Sequence, residues 1–147
     1  MANDNNMIQP IYPCLWFDGN AKEAATFYCS IFKDSKITAD TPMVVKFELS
    51  GKPFMGLNGG PHFAFNEAVS FVVECETQEE IDTLWEGLLA GGGKESQCGW
   101  LKDKYGVSWQ IVPTILSKLM QDAEKAPRVV KAFMAMVKFD IQKLLYA

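Results

Sequence analysis

Few side chains in this sequence could perform acid–base or nucleophilic chemistry. His62 is the only histidine, and it lies in a glycine-containing loop over residues 58–65. An imidazole titrates near neutral pH and can transfer protons. No second histidine exists to complete a catalytic triad, so His62 is a candidate general base or pocket-rim residue. An exposed loop histidine is the alternative.

The four cysteines form no recognisable metal-binding or redox pattern: they are Cys14, Cys29, Cys75 and Cys98. No two of them are spaced as C-x-x-C, and none lies at a zinc spacing from histidine. Cys98 has no flanking basic residue that would favour a reactive thiolate. The polar, acidic start of the chain is unlike a secretory leader. We therefore expect four reduced thiols in a cytoplasmic protein.

Composition narrows the class of protein further. The chain has 147 residues, of which 48% are hydrophobic, and its net charge is −4. This size supports a real hydrophobic core, and we expect residues 1–147 to form a single domain. The slightly acidic balance argues against a general nucleic-acid binder. The longest uncharged run, residues 53–66, contains prolines and glycines and cannot span a bilayer, so no membrane segment is expected.

The predicted elements occur twice in the same order. Amphipathic helices are predicted over residues 20–32 and 77–89, each opened by a capping-box pattern. Each helix follows a strand and precedes a hairpin, and the predicted strands are 8–17, 36–39, 44–49, 53–57, 68–73, 98–102 and 107–112. The helix starts, Asn20 and Thr77, are 57 positions apart, and the hairpin glycines, Gly51 and Gly106, are 55 apart.

This agreement predicts a duplicated β-α-β-β-β module, with copies over residues 8–66 and 67–113. An α+β domain that merely alternates its elements is the alternative. Residues 114–147 form a helical appendix, with a short helix at 114–121 and an apolar stripe of Val130, Phe133, Val137, Ile141 and Leu144. The appendix must dock either on its own sheets or on a second subunit. Residues 1–7 are expected to be a frayed terminus.

Three dense segments carry a family resemblance. They are LWFDGNAKEAATFY at 15–28, LNGGPHFAFNEAVSF at 57–71 and QCGWLKDKYGVSWQIVP at 97–113. Over residues 8–145 the chain resembles the PhnB-like branch of the vicinal-oxygen-chelate superfamily, which includes glyoxalase I, bleomycin-resistance proteins and extradiol dioxygenases. The resemblance implies an α+β fold of two β-α-β-β-β modules, each an open half-barrel around a cavity, with C-terminal helices. It also implies a homodimer.

The resemblance further implies where a metal would be held. The four ligand positions of the metal-dependent members fall near Pro13, near Gly56 or Asn58, near Ala68, and at Gln110. None of these residues is His, Asp, Glu or Cys, and neutral amides bind first-row divalent metals poorly. We therefore expect no metal and no other cofactor.

Strand alternation extends the cavity face that the resemblance implies. If Gln110 faces the cavity, so does Ser108, and if Ala68 does, so does Ser70. Asn58 shares a face with Gly56. Trp100 could form an aromatic wall. The candidate small-molecule-binding residues are thus Gln110, Ser108, Ser70, Asn58, Trp100 and His62. The alternative is that the polar groups only bond buried backbone and that Trp100 is core.

These observations favour a metal-independent small-molecule-binding protein of the bleomycin-resistance kind. An enzyme of the same superfamily is the alternative, either a lyase or isomerase on a small oxygenated substrate or the 3-demethylubiquinone-9 3-methyltransferase whose name many members of the branch carry. Methyl transfer from S-adenosylmethionine usually needs a glycine-rich loop between a strand and a helix, whereas glycines 91–93 follow a helix. A third possibility is an interaction domain with a dry, filled barrel.

Overall fold

The computed structural model describes residues 8–147 and contains two compact units, the first ending at Phe63 and the second beginning at Ala64. The expectation of a frayed terminus at residues 1–7 lies outside the described residues. Within the described part of the chain, no helix is long and apolar enough to cross a membrane.

The first unit follows the predicted order of strand, helix and three strands. Its elements are β1 (Cys14–Phe17), α1 (Ala21–Ile31), β2 (Lys36–Asp40), β3 (Val44–Leu49) and β4 (Lys52–Asn58). The spatial order is β1-β4-β3-β2, with β1 parallel to β4 and the other pairs antiparallel. The first strand begins at Cys14 instead of Ile8, because Pro10 and Pro13 lack the amide protons that strand pairing needs.

Helix α1 packs on one face of this sheet through aromatic and small residues. The Tyr28 and Phe47 rings stack with centroids 6.3 Å apart, and Phe47 stacks on Phe54 at 5.5 Å. A Cβ on Gly56 would lie only 3.2 Å from that of Ala21, so this glycine permits the close approach of the helix. The apolar periodicity of the sequence thus predicted the buried face of α1 correctly.

The second unit repeats the topology and adds three helices. Its elements are β5 (Ser70–Cys75), α2 (Gln78–Leu89), β6 (Lys94–Glu95), β7 (Trp100–Lys102), β8 (Ser108–Pro113), α3 (Ile115–Met120), α4 (Ala126–Met134) and α5 (Ile141–Leu145). The strand order β5-β8-β7-β6 matches that of the first sheet, again with the first and last strands parallel. The predicted α+β fold of two β-α-β-β-β modules is confirmed, and neither sheet of the described residues closes into a barrel.

A buried carboxylate organises the hairpin between β7 and β8. Asp103 is 3% exposed. It accepts hydrogen bonds from the Tyr105 amide at 2.8 Å, the Val107 amide at 3.1 Å and the Trp109 indole Nε1 at 2.9 Å. These donors offset the cost of burying its charge and fix the turn that aligns the two strands.

The C-terminal appendix docks on the second unit. The expectation of one continuous helical stripe is wrong beyond Met134, where α4 ends. The Cys98 amide donates to Met136 O at 2.9 Å and the Gly99 amide to Val137 O at 2.8 Å. The Phe139 ring fills the space that a side chain at Gly99 would occupy. Burial of Phe139 in this segment outweighs continuation of the helix.

The Gln78 side chain binds residues 139–141 of the same segment to α2. The Gln78 amide nitrogen donates to Phe139 O at 2.9 Å, and its oxygen accepts from the Ile141 amide at 2.9 Å. Lys138 pairs with Asp82 at 2.7 Å, and hydrogen bonds from Lys138 and Gln78 lower the pKa of Asp82. Both partners of the ion pair are exposed enough for solvent to screen it, so the part-buried amide bonds of Gln78 hold the segment more firmly.

Candidate functional site

Four of the six candidate residues lie on one face of the second sheet. Trp109, Ile111 and Leu101 point toward the core with α2 and are at most 2% exposed. Because side chains alternate along a strand, Ser108 and Gln110 project from the opposite face. Strand register adds further residues to that side. We call this side the polar face and define it by Ser70, Trp100, Lys102, Ser108 and Gln110.

The register arranges the polar face in two rows. Ser70 and Lys102 lie directly across from Ser108 on the two neighbouring strands, and Trp100 lies across from Gln110. Gln110 Nε2 donates to Ser70 Oγ at 2.9 Å, which ties the rows together. Since Ser70 Oγ accepts this bond, its own hydroxyl proton can be donated to another group.

Ser108 carries a buried hydroxyl without a hydrogen-bond partner. The residue is 1% exposed, and its Oγ bonds to no group in the described part of the chain. Leaving a buried hydroxyl unpaired costs about 1–3 kcal/mol. A polar atom kept at this cost in the empty protein indicates a position that a ligand could satisfy.

Trp100 differs from the other tryptophans in its indole N–H. Trp16 donates to Gly60 O at 2.8 Å, Trp85 to Glu95 Oε2 at 2.7 Å, and Trp109 to Asp103. Among residues 8–147, no hydrogen bond is formed by the indole N–H of Trp100, which is half-buried on the polar face. Its ring and its donor are therefore both available to a planar ligand.

An ion pair at the edge of the polar face was missed in the sequence. Lys102 Nζ lies 2.8 Å from Glu67 Oε1. The hydrogen bond from Lys102 is the main cause that lowers the pKa of the Glu67 carboxyl. The alternation that groups Trp100 with Lys102 on one strand could have identified the lysine. Nothing in the sequence indicated its partner 35 positions away.

Asn58 lies on the face of the first sheet that packs against α1. Its Oδ1 accepts from the Ala21 amide at 2.9 Å, and its Nδ2 donates to Pro42 O at 3.0 Å. It thereby caps α1, whereas Asn20, the predicted cap, makes no side-chain capping bond. Both polar atoms of the amide are used within the first unit.

His62 lies in the first unit beside Trp16. The two ring centroids are 6.4 Å apart in an edge-on arrangement, and Phe63 packs on the same tryptophan at 4.8 Å. The histidine is exposed. No carboxylate or hydroxyl of the described residues forms a hydrogen bond with its ring, so nothing orients it as a general base.

The cysteines offer no nucleophile beside the polar face. Burial is the main cause that raises the pKa of the Cys75 thiol to about 11, which keeps it protonated. The strand that was expected to include Cys98 begins only at Trp100, because Cys98 and Gly99 adopt left-handed backbone with φ of 57° and 82°. Cys98 therefore does not alternate with Trp100 as predicted.

The donor set does not fit a divalent metal. Among residues 8–147, no group of three or more His, Cys, Asp or Glu side chains could hold a metal ion. The polar face presents hydroxyl, amide, indole and ammonium groups. Transition metals bind such neutral or cationic donors poorly without imidazole or carboxylate ligands.

Comparison with known proteins finds a matching family model and a similar solved structure with the same description. A family model described as 3-demethylubiquinone-9 3-methyltransferase matches residues 9–112. The Bacillus cereus PhnB protein is 35% identical, with a TM-score of 0.65 over 72% of this chain and 100% of that one. No curated protein matches the chain.

More distant structures share the fold. A glyoxalase-related enzyme from Fulvimarina pelagi is 15% identical, with a TM-score of 0.55 over 74% of this chain and 91% of its own. The fosfomycin resistance protein FosX from Listeria monocytogenes, solved with Mn(II) and sulfate, is also 15% identical. Its TM-score is 0.59 over 78% of this chain and 98% of its own.

Proposed function

Because the chain belongs to the 3-demethylubiquinone-9 3-methyltransferase family, within the glyoxalase superfamily, and carries no metal-ligand cluster in its described residues, we propose that it binds a small molecule without a metal ion. The ligand lies on the polar face of the second sheet. One observation carries the proposal: the Ser108 hydroxyl is buried and unpaired beside the Gln110–Ser70 hydrogen bond.

The contacts expected of such a ligand follow from the groups on this face. A planar ring stacks on Trp100, whose indole N–H is open to an acceptor. Gln110 presents an amide oxygen, and the hydroxyls of Ser70 and Ser108 can donate. Small-molecule sites are typically clefts lined by apolar and aromatic side chains with a few converging polar groups, and the polar face supplies one aromatic ring and several such polar groups.

Thermal-shift screening of aromatic and quinone-like compounds tests the proposal. A binder should raise the melting temperature of the native chain, and Gln110→Ala should reduce that rise. Gln97→Ala, a change at an exposed glutamine outside the sheet, is the matched control and should leave it unchanged. If both variants respond as the native protein does, the ligand does not bind on the polar face.

A metal titration tests the other half of the proposal. Protein purified free of metal should show no stoichiometric heat with Mn²⁺ or Zn²⁺ in calorimetry. Tight one-to-one binding of either ion would overturn metal independence and favour a lyase or isomerase of the same superfamily.

The family description favours one specific alternative, a methyltransferase. Binding of S-adenosylmethionine by calorimetry would support it, and its absence would favour the binding protein. Such an enzyme would also need a general base, and His62 is the one histidine in the sequence. A bound substrate would have to orient its ring, and His62→Gln should then lower turnover.

The assembly and setting that we propose are a homodimer in the cytoplasm. The outer strands of both sheets have unpaired edges, which favour association with a second copy. All four cysteines are free thiols, as in a reducing compartment. Sedimentation equilibrium at micromolar concentration should give twice the chain mass, and a monomer would contradict the proposal.

A further inference from the structure

We propose that the polar face recognises an anionic oxygen of an aromatic acid, which displaces the Glu67 carboxylate from Lys102 and also accepts a hydrogen bond from the Ser108 hydroxyl. This inference rests on the proposed function, since it specifies the chemistry that the same face selects. The Glu67 carboxylate acts as an internal stand-in for the ligand.

The first argument is the composition of one row. Ser108 lies on the middle of three adjacent strands, with Ser70 and Lys102 across from it on either side, each about 5 Å away. Ser70 can donate its hydroxyl proton, Ser108 has an unused hydroxyl, and Lys102 carries an ammonium group. The row thus offers two hydroxyl donors and a cation, and none of its three residues is acidic.

The second argument is the origin of the carboxylate that pairs with the row. Glu67 belongs to the segment that precedes β5 and not to the sheet, and its side chain is 61% exposed. Such an exposed ion pair gains little from its attraction, so a better-placed anion can replace it. The hydrogen bond from Lys102 also holds the pKa of Glu67 low, which keeps the competing carboxylate charged.

The third argument is the unpaired Ser108 hydroxyl. Glu67 neutralises Lys102 but leaves Ser108 without an acceptor. A ligand carboxylate or phosphonate has several lone pairs and can accept from both residues at once. It therefore satisfies a donor that the resident carboxylate does not.

Calorimetric titration with three probes tests the charge requirement. Benzoate and phenylphosphonate carry an anion on an aromatic ring, and benzamide is the neutral match of benzoate. We expect at least one of the anions to bind about tenfold more tightly than benzamide, the effect of a hydrogen bond to a charged group. The tighter of the two anions identifies the source of the oxygen as a carboxylic or a phosphonic acid.

Variants then test the stand-in. Glu67→Gln removes the competitor and should strengthen benzoate binding about fivefold. Lys102→Met should abolish the preference for benzoate over benzamide. The matched controls are Asp82→Asn and Lys138→Met, which break an ion pair of similar exposure between α2 and the segment that follows α4, and neither should change the preference.

Ser108→Ala gives a signature that a structural role cannot produce. It removes the buried unpaired hydroxyl, so it should raise the melting temperature of the empty protein by about 3 °C. It should also weaken benzoate binding about tenfold. Loss of stability in this variant would show that Ser108 is a structural residue.

The outcomes separate this inference from the proposed function. Equal binding of benzoate and benzamide, both sensitive to Gln110→Ala, would overturn the anion site and support the binding face. Weaker benzoate binding by Glu67→Gln would overturn the stand-in role. If no probe binds and Trp100 fluorescence stays unchanged, both proposals fail.

Discussion

The two sheets share one topology but differ in the face that lies opposite their helices. On the first sheet this face carries Trp16, Met55 and Leu57, and Trp16 lies across from Leu57 in the register. On the second sheet, the face opposite the helix carries Ser70, which lies across from Ser108. The same backbone therefore presents apolar side chains on the paired strands β1 and β4 of one copy and a row of donors in the other.

The difference extends to how each tryptophan is used. The loop after β4 covers Trp16: Gly60 O accepts its indole N–H, and Phe63 packs on its ring. On the second sheet, no group of the described residues bonds the indole of Trp100. The loop of the first copy thus covers its tryptophan, whereas the indole N–H of the second forms no hydrogen bond in the described residues.

The largest expected effect concerns the two hairpins. The turn between β3 and β4 relies on backbone geometry, with Ser50 and Gly51 at positive φ, whereas the second hairpin depends on Asp103. Asp103→Ala leaves its buried donors unpaired and should lower the free energy of unfolding by about 3 kcal/mol, measured with urea. Asp40→Ala, at an exposed ion pair, should cost less than about 1 kcal/mol. Equal losses in the free energy of unfolding for the two variants would contradict the structural role of Asp103.

Gly59→Ala tests whether the first tryptophan is held by its own loop. A Cβ there would overlap the Trp16 ring, so the loop or the ring must move, at a cost of about 2 kcal/mol. Acrylamide should then quench tryptophan fluorescence more strongly. Pro61→Ala, at an exposed position of the same loop, serves as the control. Unchanged quenching in Gly59→Ala would mean that the loop does not shield Trp16.

The two helix caps give a smaller contrast. Thr77 caps α2 locally by accepting from the Glu80 amide, so Thr77→Ala should cost about 1 kcal/mol. Asn58 caps α1 from a strand and also binds Pro42 O, so Asn58→Ala should cost about 2 kcal/mol. Chemical denaturation of both variants measures the difference, and a cheaper Asn58→Ala would contradict it.

The smallest effect is a pH dependence of stability that arises from a buried thiol of the second unit. Burial raises the pKa of Cys75 from 9.0 to about 11, so the folded state favours the protonated thiol. Its contribution to stability is complete below pH 9 and is lost as the pH rises toward about 11. Cys75→Ala should therefore show a shallower fall in melting temperature over this range. Identical slopes would contradict the assignment.

Local patterns predicted the elements, and long-range contacts decided the rest. The Thr77–Glu80 spacing predicted a real cap because both residues lie within one helical turn. The Asn20 pattern failed because α1 is capped by Asn58, which only strand pairing brings close. Likewise, alternation grouped Ser70, Ser108 and Gln110 correctly, whereas the Lys102–Glu67 pair required the register of the folded sheet.

The prediction of a continuous helical stripe in the C-terminal appendix failed for a related reason. Its apolar spacing is typical of a helix, but Phe139 packs against Gly99. The sequence alone does not indicate that this glycine leaves room for an aromatic ring. Helix propensity depends on neighbours along the chain, whereas this contact joins residues 40 positions apart.

The docking of residues 136–141 determines when the second unit can complete its folding during translation. The first unit is complete by Phe63, so it can fold while the rest of the chain is still being translated. The second cannot close until Phe139 and Ile141 reach Gly99 and Gln78. The strands of its sheet are thus translated before the segment that packs against them. Pulse proteolysis of stalled nascent chains should find the second unit protected only after residue 141 has emerged from the ribosome.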